Sequence, residues 1–320
     1  MAFLKFLESL RTPVGEGIAS AVTLLGEETF FTVLGLIIVW CWSKKWGFRF
    51  LLTGLTGTAV NQLLKAIFVV PRPWILDPEF TIVESARAGA TGYSFPSGHT
   101  QSAATVFGVL ALWARERWIT VCCVAAVLLV GLSRMYLGVH TPQDVGVSLA
   151  TGLVTVLGLH ALFIGAEGSL RRKAWISAGM CLLVLALVLF VTLAPARPNS
   201  DPEFDAHGVD AAWKLAGSTL GLTAAWLADE RWLHFDTRAV WWAQACKLIL
   251  GLGLVLGIRI GLKPLLALLP GDGLWVGGLR YLLMTLAGGV LWPMTFRFWG
   301  RLGRGRQLNP VCGHRRESCQ

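Results

Sequence analysis

The sequence predicts an all-α protein, a polytopic transmembrane helix bundle, on three observations. Of its 320 residues 54% are hydrophobic and only 15% charged, with a mean hydropathy of +0.60, far from the balance of a soluble domain. Apolar runs recur at lengths that cross a hydrocarbon core as helices. Basic residues collect in alternate connections between those runs.

The net charge of +9 does not imply nucleic acid, because the Lys and Arg residues lie between apolar runs and form no clustered basic face. Seven cysteines (Cys41, Cys122, Cys123, Cys181, Cys246, Cys312 and Cys319) sit mostly inside apolar segments without paired metal-ligand spacing. They read as small buried hydrophobes. Cys312, His314 and Cys319 in the polar tail are too scattered to argue for a metal site. No metal and no cofactor is expected.

Residues 1–17 place Phe3, Leu4, Phe6, Leu7 and Leu10 at helical spacing against Lys5, Glu8 and Arg11. Without a small-residue cleavage site this is an interfacial amphipathic helix, not a signal peptide. Spans follow near 18–42, 50–69, 100–114, 118–132, 145–166, 174–194, 210–228, 240–268 and 275–296, about nine crossings in all. The Pro- and Asp-rich stretch from Ala194 to Asp210 divides them into a six-helix core over 18–195 and about three further helices over 196–320.

One set of connections holds Lys44, Lys45 and Arg49, then Arg115 and Arg117, then Arg171, Arg172 and Lys173, then Arg231 and Arg238, then Arg297, Arg301, Arg304 and Arg306. The positive-inside rule makes that set cytoplasmic and puts the N-terminus outside and the C-terminus inside. Trp40, Trp42, Trp46, Trp113, Trp118, Trp241 and Trp242 then form a cytoplasmic-side aromatic belt. The expected location is a bacterial plasma membrane rather than the endoplasmic reticulum.

Three polar clusters interrupt the chain, all on the outer side of this topology. In the first, Lys65 precedes Arg72 and Pro73 by about two helical turns, so a helix continuing through them would bring both cations to one face. Taken alone, such a pair also suits snorkelling at a membrane edge. Asn61, one turn before Lys65, is placed either to bond its ammonium or to contact another helix. The second is Ser94-Phe95-Pro96-Ser97-Gly98-His99-Thr100, opening a span. Gly98 permits close backbone approach, Ser97 can cap, and the first helical amides aim at an anion.

The third cluster contains Ser133, Arg134, His140 and Asp144. Four residues separate His140 from Asp144, close enough on a helical turn for the carboxylate to fix the imidazole tautomer and leave the other nitrogen nucleophilic. An ordinary His–Asp pair at a helix end has the same spacing. What chance does not supply is all three clusters, in order and on one membrane side.

With Lys-x6-Arg-Pro at Lys65, Arg72 and Pro73, Pro-Ser-Gly-His at Pro96 to His99, and Ser-Arg-x5-His-x3-Asp at Ser133, Arg134, His140 and Asp144, the chain resembles the type 2 phosphatidic acid phosphatase superfamily, the lipid phosphate phosphatases. The stretch from Arg134 to Val145 resembles the sphingosine-1-phosphate phosphatase-like branch and its bacterial relatives. The resemblance implies a lipid phosphate substrate taken from the bilayer and a phosphohistidine formed at the extracytoplasmic face. Lys65, Arg72, Arg134, Ser97 and Gly98 would hold the phosphoryl group. His140 would attack, Asp144 would orient it, and His99 would protonate the leaving oxygen and then activate water. Two alternatives use the same residues: transfer to a second lipid, and hydrolysis of a soluble sugar phosphate, since nine-span relatives resembling glucose-6-phosphatase share this orientation. A transporter would instead place its charges near the midplane.

Outside these motifs, Asp201, Glu203, Asp205, His207 and Asp210 could form a lid, a weak cation site or a plain solvated connection. Lys247, Arg259 and Lys263 put charge in or near a span, where function or snorkelling explains it. Gly217 with Gly221, and Gly253 with Gly257 and Gly261, have the spacing of close helix packing, within the chain or in a homodimer. The topology is testable: a cysteine tag in the 198–208 connection should react with an impermeant reagent from outside, and one after Arg306 should not. The reverse pattern would invert the assignment.

Overall fold

The computed structural model describes residues 1–195, 200–266 and 273–302. Arg304, Arg306, the Cys312/His314/Cys319 group and parts of the 195–209 and 269–274 connections lie outside the described residues. Twelve helices carry the architecture: α1 (Ala2–Ser9), α2 (Pro13–Thr23), α3 (Glu28–Ile37), α4 (Lys44–Phe68), α5 (Pro73–Leu76), α6 (Gly98–Ala114), α7 (Arg117–Tyr136), α8 (Pro142–Gly165), α9 (Leu170–Leu193), α10 (Pro202–Ala228), α11 (Trp241–Leu266) and α12 (Leu274–Leu286). No strand occurs among the described residues.

Each segment marked as a span in the sequence falls on one of these helices or on a bent pair. Five are long and apolar enough to cross a membrane by length and composition: α7, α8, α9, α11 and the stretch Leu274–Trp299. A sixth arises if Pro13–Gly26 and Glu28–Trp42, bent by 50°, count as one span. The three that fall short, α4, α6 and α10, lie where their neighbours cover them. They bury Arg49, Thr53, Asn61 and Lys65 on α4, Thr100, Gln101 and Thr105 on α6, and Ser218, Thr219 and Thr223 on α10. A helix shielded from lipid can carry polar groups that a lipid-facing one cannot.

Local chemistry sets the ends. Ser43 caps α4 by accepting from the Trp46 amide at 3.4 Å, and Pro142 and Pro202 occupy the first turns of α8 and α10, where a missing N–H is harmless. α10 begins at Pro202, earlier than the sequence reading of 210, because Asp201 accepts from the Glu203 and Phe204 amides at 2.8 and 3.3 Å. Most of the expected outer acidic loop is therefore helix. α4 stops at Phe68, since Val69 turns left-handed at φ 49°, so Arg72 is not on a continuation of that helix.

α1 buries Leu4 and Leu7 and leaves Phe3, Phe6 and Leu10 exposed. Its charged side seats on the connection that follows α5: Lys5 pairs with Asp77 at 2.8 Å, and Glu8 accepts from the Thr81 amide at 2.9 Å. At the opposite end of the bundle, Lys44 meets Asp229 at 2.9 Å, Arg49 meets Glu167 at 2.6 Å and Lys173 meets Glu230 at 2.5 Å. Two of these pairs tie the first six spans to the turn Asp229–Leu233 that follows α10.

α10 is clamped between α9, α4 and α12. A Cβ built at Gly217 would collide with the Gly278 carbonyl, and one at Gly221 with the Thr285 hydroxyl, so this glycine pair serves packing within the chain. Gly253, Gly257 and Gly261 on α11 face open space. Gly217→Ala should therefore destabilise the protein by about 1–3 kcal/mol, the usual cost of overpacking, and lower the melting temperature in detergent. Gly257→Ala should be neutral or slightly stabilising, as expected for glycine replaced in an exposed helix; equal shifts for both would refute this account of the α10–α12 contact.

Candidate active site

The three sequence clusters converge at one end of the bundle. Arg72, between α4 and α5, is 2% exposed and has its guanidinium held by four groups: Nε donates to Gly92 O at 2.8 Å, Nη1 to Val139 O at 3.0 Å and Nη2 to Thr91 O at 3.1 Å, and Nη1 also lies 3.0 Å from His140 Nε2. Lys65, in the last turn of α4, donates to Tyr93 O. The two cations therefore meet through the 91–93 backbone, not along a shared helix face. Asn61 does not bond Lys65; its Nδ2 is buried and has no partner among the described residues.

His140 stands just ahead of α8, where Thr141 and Asp144 form a capping box: Thr141 N donates to Asp144 Oδ2 at 2.7 Å and Asp144 N to Thr141 Oγ1 at 3.2 Å. The cap locks the carboxylate. Its Oδ2 also accepts from Ser94 Oγ at 2.6 Å and lies 3.3 Å from His140 Nδ1. With Arg72 donating to Nε2 and Asp144 accepting at Nδ1, the proton belongs on Nδ1 and the lone pair on Nε2. Burial, then the charges of Arg72, Lys65 and Arg134, push the imidazole well below its ordinary pKa, so it is neutral.

Arg134, at the end of α7, is 1% exposed and bonds Thr23 Oγ1 through Nη1 at 2.9 Å. Its Nε and Nη2 are buried without a partner among the described residues. Ser133 turns away, donating to Val130 O at 2.8 Å. Ser97 caps α6; its Oγ accepts from Thr100 N at 3.4 Å and Thr100 Oγ1 at 3.0 Å, while its own N–H reaches Asp144 O at 3.2 Å. Gly98 and His99 open the same helix and both line the cavity. The His99 ring lines the cavity beside Lys65, Arg72 and His140 and makes no hydrogen bond among the described residues.

The sequence names the side chains that gather here but not their supports. Ser94 belongs to a motif already singled out, yet nothing in its spacing shows that it faces Asp144. Thr23 lies on α2, far from any motif, and the three carbonyls of residues 91–93 leave no trace in side-chain identity. Of the other candidates, Lys247 is buried, donating to Thr237 O at 2.9 Å with its ammonium 4.3 Å from the centre of the Phe296 ring. Asp201 is used as a cap and Asp205 as a partner of Tyr93 Oη at 2.9 Å. No three His, Cys, Asp or Glu residues stand together as a possible metal cluster among the described residues.

Comparison with known proteins matches residues 46–166 to the PAP2 superfamily and residues 213–304 to the transmembrane extension of PAP2 superfamily phosphatases. Phosphatidylglycerophosphatase B of Bacillus subtilis is 30% identical over 160 residues, covering 45% of this chain and 73% of that protein. The undecaprenyl-diphosphatase BcrC of the same organism is 33% identical over 103 residues, 32% of this chain and 50% of that protein. A probable sphingosine-1-phosphate phosphatase of Dictyostelium discoideum is 24% identical over 220 residues, 64% of this chain and 52% of that protein. The chain thus spans about half the length of the last two. No solved structure matches. The residues converging on His140 all fall inside the first matched region, and the chain belongs to the PAP2 superfamily, as a multi-pass membrane phosphatase carrying that superfamily's transmembrane extension.

Proposed function

We propose that the protein hydrolyses a lipid phosphate through a phosphohistidine on His140, at the extracytoplasmic face of the membrane. The observation that carries this reading is the pairing of a neutral imidazole, its Nε2 lone pair turned toward Arg72, with buried donors on Arg134 and Asn61 that lack partners. Buried polar groups without partners are costly, and a phosphoryl group satisfies them. Its three equatorial oxygens suit the two free guanidinium nitrogens of Arg134, the Lys65 ammonium and the α6 amides. A Cβ at Gly98 would sit 3.8 Å from Asn61 Oδ1, ordinary contact. The protein alone does not demand glycine there; a phosphate lying against the backbone does.

In the proposed cycle the phosphate monoester binds with one proton that passes to His99, the imidazole without a competing hydrogen bond; Nε2 of His140 then attacks phosphorus, and the leaving oxygen takes that proton from His99. Asp144, fixed by the capping box and Ser94, stabilises the imidazolium without moving. Water activated by His99 then releases phosphate. The basic side chains supply the positive charge that magnesium supplies elsewhere. The extracytoplasmic placement follows from the charge bias of the connections, and the lipid substrate from relatives named for lipid phosphates together with the position of the site at a bundle end.

His140→Ala should form no phosphoenzyme and turn over no substrate. His99→Ala should lose about 10²–10⁴-fold on an alkyl phosphate, but much less on a nitrophenyl phosphate, whose leaving group needs no proton. Radiolabel trapped on His99, or full activity in His140→Ala, would overturn the mechanism. Hydrolysis should also continue in excess chelator and be inhibited by vanadate, measured as phosphate release. Activity lost in chelator and restored by magnesium would count against the metal-free scheme. Product analysis with and without added lipid alcohols separates hydrolysis from transfer to a second lipid.

A further inference from the structure

The cavity that holds Lys65, Arg72, His99 and His140 measures about 550 Å³ and extends inward along α4 as far as Phe48. At its mouth stands a strip of backbone, residues 91–93, that lies between the first two polar clusters and belongs to neither. Its three carbonyls hold two of the three cations. Arg72 donates to Thr91 O at 3.1 Å and to Gly92 O at 2.8 Å, and Lys65 donates to Tyr93 O. A buried cation stands where its acceptors stand, because leaving them exposes it to the full cost of desolvation. The strip itself is not held by secondary structure: no helix contains it, and Gly92 is left-handed at φ 70°. Main-chain bonds fasten it only at its two sides, from Ala90 N to Arg87 O at 3.0 Å and from Ser94 N to Val70 O at 2.8 Å. Beside it lies a second void of about 30 Å³, bordered by Lys65, Gly92, Asp205 and His207. That is more than one water needs, so packing alone does not stop the strip from moving.

What reaches the strip from beyond the six-helix core is α10. Tyr93 is 5% exposed; its Oη accepts from the Asp201 amide at 2.9 Å and donates to Asp205 Oδ1 at 2.9 Å, and its ring meets that of Phe204 edge-on at 5.4 Å. A phenol donating to a carboxylate makes the stronger class of hydrogen bond. Asp201 caps α10, so the hydroxyl is tied to the end of a long helix. On the other side of the strip's glycine, a Cβ at Gly92 would stand 3.6 Å from the His207 ring. The residue whose carbonyl receives Lys65 is thus the one that α10 holds by its side chain. We infer that Tyr93 is a positioning residue: through its hydroxyl the extension sets where Lys65 and Arg72 stand, and with them the affinity of the site for a phosphoryl group. This rests on the phosphatase reading of the site and deepens it. Tyr93 acts through the two cations, and a shift of about 1 Å in such groups is enough for a loss on the order of 10²-fold.

The test measures the competitive inhibition constant of vanadate, with nitrophenyl phosphate as substrate, on purified full-length protein in one detergent. This constant does not depend on how much of the sample is active. Tyr93→Phe keeps the ring against Phe204 and removes both hydroxyl bonds. Its vanadate constant should rise about 10- to 100-fold, with KM rising alongside it. Asp205→Ala should shift both constants in the same direction, and Asp205→Asn, which still offers the hydroxyl an acceptor, should lie nearer the wild type. Gly257→Ala, whose added Cβ meets open space on α11, should leave the vanadate constant unchanged. A hydroxyl that only stabilised the fold would lower the melting temperature and the yield of active protein without moving that constant. Should Tyr93→Phe fail to fold, the two Asp205 variants decide the matter. Unchanged constants in the folded variants, or a fall in kcat alone, overturn the inference and leave the phosphatase reading standing. Folded wild-type protein that neither binds vanadate nor hydrolyses any phosphate ester removes that reading itself, and the role of Tyr93 with it.

Discussion

Three cations held around one neutral imidazole, with the Asp144 carboxylate beside it, form the constraint on which the rest of the molecule depends. Like charges a few ångströms apart repel by about 4 kcal/mol at an effective dielectric near 20, and burial adds a desolvation cost to each. Nothing local to Lys65, Arg72 or Arg134 would assemble them. The protein offsets the cost with oriented carbonyls: Thr91, Gly92 and Val139 surround Arg72, and Tyr93 takes Lys65. Arg134 is left short of acceptors. In the proposed function a phosphoryl group would supply the missing ones, so the cost of gathering these cations and an affinity for an anion would be one property.

Because those carbonyls belong to a connection and not to a helix, the connection itself has to be held. Its hold comes from the extension. Tyr93 Oη accepts from the Asp201 amide at 2.9 Å and donates to Asp205 Oδ1 at 2.9 Å, and its ring meets Phe204 edge-on. The start of α10 therefore grips the strip of backbone that positions Lys65 and Arg72. From the other side Ser94 N bonds Val70 O at 2.8 Å, and Ser97 N bonds Asp144 O at 3.2 Å. All three motifs are thus joined through main chain. The same α10 then packs onto α12 through Gly217 and Gly221, which links cation placement to the integrity of the three added helices.

What the sequence made legible follows this division. The charged and imidazole side chains were readable by type and spacing: His140 and Asp144, four residues apart, come within 3.3 Å, though across the α8 cap and not within a helical turn. The span pattern was readable for lipid-facing helices, since hydrophobicity there is uninterrupted. It was weaker for α4, α6 and α10, which neighbours cover and which therefore tolerate polar residues. Two expectations failed for local reasons. A shared face for Lys65 and Arg72 required the helix to continue, and the left-handed Val69 ends it. Asp201 was read as part of a loop although it caps α10. The carbonyls that hold Arg72 could not be read at all, because every residue has one.

The inner end of the cavity shows a different use of backbone. Two π-helical turns, Ile38–Trp42 and Ala287–Leu291, lie at its floor, and each widens a helix where the regular ladder would otherwise run on. Trp40 Nε1 donates to Gly288 O at 2.9 Å across this floor, joining the first span to the last. Its ring is fully buried, and a Cβ at Gly251 would strike it. An indole sealed by one hydrogen bond makes a rigid stop, apolar on the cavity side and satisfied at its only donor. Trp40 therefore lines the inner part of the cavity as a fixed wall that joins the first span to the last.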